Sequence, residues 1–215
     1  MNASLVPFSV IIPAYNEARR IRRVIEVARR APGAAEVIVV DDGSSDQTAR
    51  IAALSGARVV RLLENRGKGA AMLAGAEEAR TRLLLFLDAD LLGLTVAHVL
   101  ALVEPVAQGQ ADMTMGVFGA GRTSTDLAQK LAPFLSGQRA IRRETFLRIP
   151  NLAEARYGVE VLLSSYAREA GLRVEKVSLP GVTQVMKEEK HGFWRGFAAR
   201  IKMYWEIVRT TWLYL

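Results

Sequence analysis

Leu83-Leu84-Leu85-Phe86-Leu87-Asp88-Ala89-Asp90 is an apolar run that ends in two carboxylates one residue apart. The run is too short to span a bilayer and has no polar face of helical period. It predicts a strand buried on both faces, as in a parallel sheet. Ligands of open parallel sheets sit beyond the carboxyl ends of the strands. Carboxylates are costly to bury unless something positive meets them. The stretch therefore predicts a metal- or phosphate-handling edge, or else an ordinary polar strand end that caps the next helix.

On either side of this run, strands and helices alternate with short connections. Residues 9–12 predict a strand stopped by Pro13, and Asn16 a cap for a helix from 17 to about 30, with Ile21, Val24, Ile25 and Ala28 on its buried face. Pro32-Gly33 ends that helix. A second strand, 36–40, runs into Asp41-Asp42-Gly43-Ser44-Ser45-Asp46, and a helix follows to about Leu54, closed by Gly56. Residues 59–62 predict a third strand, and Asn65-Arg66-Gly67-Lys68-Gly69 leads into an Ala-rich helix ending near Arg80. Past the opening run, Thr95 caps a helix to about Ala107, and 113–117 predict a fifth strand. Such alternation implies right-handed βαβ units and a doubly wound, mostly parallel α/β sheet.

Beyond Val117 the pattern loosens. Gly119-Ala120-Gly121-Arg122 reads as a link, and residues 136–143 as a strand or turn carrying Arg139, Arg142 and Arg143. A helix (158–170), a strand (174–179) and a long helix from Gly192 complete the chain. One domain over 1–215 is expected, with a ligand-binding half (1–118) and a smaller second half (119–215).

The 215 residues are 50% hydrophobic and 24% charged, an ordinary globular balance. The absence of cysteine excludes disulfides, thiolate metal sites and thiol nucleophiles. Met1 to Val6 is too short for a signal peptide ahead of the first strand, and no run has transmembrane length, so a cytoplasmic chain is expected. The net charge of +7 favours an anionic partner. Nucleic acid is not expected, since neither a stacking platform nor a recognised module accompanies the charge.

Strand ends carry Glu17, Asp41, Asp42, Asp88 and Asp90. Parallel strands deliver these acids to one edge, where they would raise one another's pKa unless a cation or donors intervene. A divalent metal bridging a diphosphate resolves the conflict, and oxygen ligands suit magnesium or manganese. The glycine-rich turn before Lys68 lies at a helix N-terminus, where backbone N–H groups favour anions. It lacks Walker spacing, and no G-x-G-x-x-G follows strand one, which argues against dinucleotide binding.

Four motifs, Val10-Ile11-Ile12-Pro13-Ala14-Tyr15-Asn16-Glu17, Val39-Val40-Asp41-Asp42-Gly43-Ser44-Ser45-Asp46, Asn65-Arg66-Gly67-Lys68-Gly69 and Asp88-Ala89-Asp90, together resemble the family 2 glycosyltransferases of the GT-A fold. The resemblance implies a metal-dependent hexosyltransferase, expected to invert, that uses a UDP- or GDP-sugar. It places Pro13, Tyr15, Glu17 and Asp42 at the base and ribose, Lys68 near the nucleotide, Asp88 and Ala89 near the ribose, and Asp90 on the metal. Residues 137–144 are similar to a segment of dolichol-phosphate mannose synthase-like enzymes, in which arginines position phosphates. Those enzymes carry D-x-D-x-Q, whereas Leu92 stands in the place of the Gln; Gln184 and His191 are the substitute ligand candidates.

Two acceptor classes follow. A hydroxyl acceptor needs a general base, and Glu160 is the first candidate, ahead of Asp126 and Glu154; its alternative role is to complement a helix dipole. A phosphate acceptor, such as a polyprenyl phosphate, needs cationic clamps, for which Arg139, Arg142 and Arg143 are candidates, with Arg139 also catalytic. The apolar stripe Phe193, Phe197, Ile201, Tyr204, Val208, Trp212 and Leu215, flanked by basic residues, suits peripheral contact with the inner face of a membrane. It equally suits packing on the sheet or in a homodimer. Two further functions share this reading: a sugar-phosphate nucleotidyltransferase, which would need a glycine-rich basic loop after strand one, and a non-catalytic nucleotide-sugar-binding module.

Overall fold

A computed structural model describes residues 6–118 and 136–184. The chain divides into Met1–Thr183 and Gln184–Leu215; apart from Gln184, everything below concerns the first unit. The link at 119–122, Asp126, His191 and the C-terminal helix lie outside the described residues.

Seven strands form one sheet in the order β3-β2-β1-β4-β7-β6-β8. They are β1 (Phe8–Ala14), β2 (Ala34–Asp42), β3 (Arg58–Leu62), β4 (Leu83–Phe86), β6 (Met113–Phe118), β7 (Arg139–Arg142) and β8 (Val174–Leu179). Two short strands, β5 (Leu91–Leu92) and β9 (Thr183–Gln184), lie outside this sheet. The helices are α1 (Ile21–Arg30), α2 (Thr48–Leu54), α3 (Lys68–Glu78), α4 (Val96–Ala107), α5 (Arg143–Leu147) and α6 (Val159–Glu169).

The expected mostly parallel sheet is present, with β7 the exception: it runs antiparallel to both β4 and β6. β4 (Leu-Leu-Leu-Phe) is apolar at every position and the middle of β1 and β2 nearly so, because both faces of the sheet are covered there. Val10 and Ile12 join a core beneath α1 and α4, whereas Ile11 faces α3 along with Ile38, Leu84 and Phe86. Phe86 and Phe146 stack with centroids 4.6 Å apart, which seats α5 on that second face. The Ala-rich α3 lies close to the sheet: a Cβ on Gly75 would come within 2.5 Å of the Ile11 side chain. That approach sets where the first residue of α3, Lys68, stands relative to β4.

Two local expectations are corrected. Pro13 does not stop β1, which continues to Ala14 opposite Asp41. The ladder with β4 has already ended, its last bond running from the Leu87 N–H to the Ile11 carbonyl. Side alternates along a strand, so the N–H that Pro13 lacks would have pointed past that end. Asn16 does not cap α1, which begins at Ile21. It adopts φ 56°, and its Oδ1 accepts the Ser45 N–H at 2.9 Å, joining the ends of β1 and β2 instead. Thr95 does cap α4, in a capping box whose N3 residue is His98.

Candidate active site

The carboxyl ends of β1, β2 and β4 bring together the acids that are scattered in sequence, and the chain itself meets most of their charge. Asp42 accepts the N–H groups of Arg66 and Gly67 at 2.8 and 2.9 Å, so its carboxylate shapes the glycine-rich turn. Buried Asp41 pairs with Arg61 at 3.4 Å and accepts the Ser44 N–H. Glu17 pairs with Arg20 at 3.6 Å. Repulsion among these acids therefore does not require a metal to relieve it. Pro13 is half-buried and Tyr15 is 46% exposed just past β1. Ala89 turns its methyl into the core between Leu87 and Leu91, so anything it offers a ligand comes from its backbone.

At the centre, Lys68 Nζ donates to Asp88 Oδ1 at 2.5 Å and to Glu160 Oε1 at 2.7 Å. Burial alone would push the ammonium pKa down, but the two carboxylates outweigh it and raise it above its ordinary value. Gln138 Nε2 donates to the other Asp88 oxygen at 2.6 Å. The turn that presents Lys68 depends on glycine: Gly67 has φ 92°, and a Cβ on Gly69 would stand 2.0 Å from the Leu152 carbonyl. The loop before α6 thus closes directly on the start of α3 and carries Glu160 to Lys68.

The three predicted arginines separate. Because β7 is antiparallel, Arg139 sits opposite Phe86 at the site edge, whereas Arg142 sits opposite Leu83 at the far edge. Arg142 is exposed, and Arg143 donates to the Ala76 and Glu77 carbonyls at the C-terminus of α3. Neither lines the crevice, so both are corrected as acceptor clamps. Arg139 is 1% exposed and donates to the carbonyls of Ser136 and Glu160 and to Ser164 Oγ, the last at 2.8 Å. Burial pushes its guanidinium down to about 10 against the pull of Glu160. It holds α6 in place rather than presenting its charge to a ligand.

No role was expected of Ser164, or of Gln138, which lies in the segment 137–144 that was singled out for its arginines. Glu154, the weaker base candidate, is exposed in the loop before α6. Gln184, half-buried, ends β9. No three His, Cys, Asp or Glu side chains among the described residues form a metal-holding group. Magnesium and manganese held largely by substrate phosphates and water need only one or two carboxylates. Asp88 is engaged by Lys68 and Gln138, and Asp90, half-buried two residues on, supplies a hard oxygen ligand of the fitting kind.

The sequence model of Glycosyl transferase family 2 matches residues 9–175. This chain belongs to that family. It is 42% identical over 98 residues to a dolichyl-phosphate beta-glucosyltransferase of Drosophila melanogaster, a match covering 38% of this chain and 30% of that protein. It is 41% identical over 111 residues to an undecaprenyl-phosphate 4-deoxy-4-formamido-L-arabinose transferase of Pseudomonas paraeruginosa, covering 47% of this chain and 32% of the relative. The chain thus spans about a third of the length of these curated relatives. Among solved structures it resembles glucosyl-3-phosphoglycerate synthase of Mycobacterium tuberculosis in complex with Mn2+, UDP and glucosyl-3-phosphoglycerate. The TM-score is 0.67 at 29% identity, over 84% of this chain and 72% of that one. The same synthase is also known with Mg2+ and UDP. The fold of this family 2 chain is accordingly the GT-A fold that its motifs led one to expect.

Proposed function

We propose that this chain transfers a hexosyl group from a nucleotide-diphosphate sugar, with UDP the best-supported nucleotide, to an acceptor that carries a phosphate. The observation behind this reading is the meeting of Asp88, Lys68 and Glu160 at the carboxyl edge of the sheet, with Asp90 two residues on. Tyr15, Pro13 and Glu17 flank the place for the base and ribose. Lys68 and the N-terminus of α3 supply positive charge for the diphosphate. A magnesium or manganese ion, held by Asp90, would supply electrostatic stabilisation of the departing diphosphate. Glu160 takes the proton of an acceptor hydroxyl as its oxygen bonds to the anomeric carbon, in one displacement that inverts that centre. The solved synthase, which covers most of this chain, favours such a hydroxyl acceptor.

A second acceptor reading rests on the polyprenyl-phosphate transferases, whose similarity is higher but covers less than half of this chain. There the nucleophile is a phosphate oxygen, already anionic, and needs little help from a base. Among the described residues no helix is long and apolar enough to cross a membrane. Peripheral membrane contact and dimerisation remain proposals tied to the C-terminal residues.

The test incubates the protein with UDP-glucose and Mn2+, offers 3-phosphoglycerate or undecaprenyl phosphate, and measures released UDP. Acceptor-dependent release that EDTA abolishes is expected with one of the two. If neither acceptor stimulates release, and UDP-, GDP- and dTDP-sugars leave the melting temperature unmoved, the activity is wrong, since a ligand that binds the native state must raise it.

A further inference from the structure

We propose that Lys68 is a positioning residue for Glu160, and that position 137 is glycine because the Lys68 ammonium fills the space a side chain would take. The proposal rests on Glu160 being the base named above. Glu160 is held at both ends. Its backbone carbonyl accepts from Arg139 at 3.2 Å, and its Oε1 accepts from Lys68 at 2.7 Å. A glutamate side chain otherwise distributes itself over several rotamers. A base works only within hydrogen-bond reach of the proton it abstracts, so fixing one conformer beforehand removes a cost from the reaction. Among the described residues Lys68 engages Oε1 alone, which leaves Oε2 as the oxygen for an acceptor proton.

The ammonium is itself held. Asp88 takes it from the other side, and Gln138 pins Asp88 in turn at 2.6 Å. A relay Gln138–Asp88–Lys68–Glu160 thus runs from the donor wall at the end of β4 to the first turn of α6. A Cβ on Gly137 would stand 2.4 Å from Nζ and 2.7 and 2.8 Å from the Asp88 carboxylate oxygens, well inside van der Waals contact. Adding one methyl there displaces the ammonium while both carboxylates and the lysine stay in the sequence. If Lys68 served only the donor phosphates, its loss and that of Glu160 would act independently.

Two double-mutant cycles on the full chain decide this. The first is urea unfolding of wild type, Lys68→Met, Glu160→Gln and the double variant, which needs no substrate. Non-additive midpoints are expected, and additive ones would show that no bridge exists and overturn the proposal. The second measures kcat with UDP-glucose, Mn2+ and 3-phosphoglycerate, whose hydroxyl needs a base; a wild type that uses undecaprenyl phosphate alone removes the base from Glu160 and overturns the positioning role. The double variant is expected to match the worse single variant within about twofold, with Lys68→Arg recovering part of the loss. Gly137→Ala is expected to lower kcat about tenfold, a larger change than in the KM for UDP-glucose. Losses that multiply assign Lys68 to the donor alone and overturn the positioning role. A wild type that transfers to neither acceptor overturns the proposed activity and that role with it, and the unfolding cycle still decides the bridge.

Discussion

The two edges of the sheet use the same residue types in opposite ways. At the amino edge Glu36 accepts the Ser9 hydroxyl and the Arg80 N–H, each at 2.7 Å, and pairs with Arg58 at 3.2 Å. Arg58 also reaches Glu78, and Arg143 closes the C-terminus of α3. These charges end on a strand hydroxyl, a helix end or a neighbouring ion and tie adjacent element ends together. At the carboxyl edge Lys68 spans two carboxylates from β4 and α6, elements that have no other reason to place acids face to face. Two carboxylates converging on one half-buried ammonium leave one negative charge unmatched, an arrangement that stability alone does not favour. Position relative to the sheet, more than residue type, separates scaffold from site.

Substitutions at the two edges should therefore differ in kind. The largest effect is expected from Asp90→Ala: a loss of about three orders of magnitude in kcat/KM, the scale of removing a group that stabilises transition-state charge. An unfolding midpoint that drops along with activity would make Asp90 scaffold and erase the contrast. Glu160→Gln comes next and sharpens the acceptor question. With a hydroxyl acceptor, loss of the base should cost about a hundredfold or more in kcat; with undecaprenyl phosphate, kcat should stay within a fewfold. Measuring both on one preparation separates the two readings.

The strands of the donor half were legible because their buried stretches are predominantly apolar, and their acids mark the carboxyl ends. Ile21, Val24, Ile25 and Ala28 on α1 and the whole of β8 followed from periodicity alone. What stayed hidden was pairing across long sequence distance. Nothing in Arg139-Ala140-Ile141-Arg142 says that this strand runs against its neighbours, and that direction alone sends Arg142 and Arg143 to the wrong edge. Nor could the sequence show that Asp42 would spend its carboxylate on two backbone N–H groups of the glycine turn, or that Lys68 would meet Glu160 from 92 residues away. Pro13 and Asn16 misled for a local reason. Each obeys its usual preference only when its neighbours compete for the same bonds, and here β4 has ended and the β2 loop has taken the asparagine.

The smallest effect is expected from Glu36→Gln, and it tests the other side of the contrast. Burial pushes the Glu36 carboxyl up, yet the Arg80 N–H, the Ser9 hydroxyl and Arg58 outweigh it and hold its pKa below the ordinary 4.5. A carboxyl depressed by folding contributes stability that is fully present above its unfolded value and is lost as pH falls through the folded one. The glutamine variant keeps the shape and part of the hydrogen bonding but not the charge. It should unfold about 1 kcal/mol more easily than wild type at neutral pH, and the gap should close as the pH is lowered below 4.5. Transfer from UDP-glucose should be unaffected. A pH-independent gap would mean that the charge contributes nothing. A fall in transfer comparable to that of Glu160→Gln would mean that the amino edge also serves the chemistry, and that the sheet does not divide its polar residues as its two edges suggest.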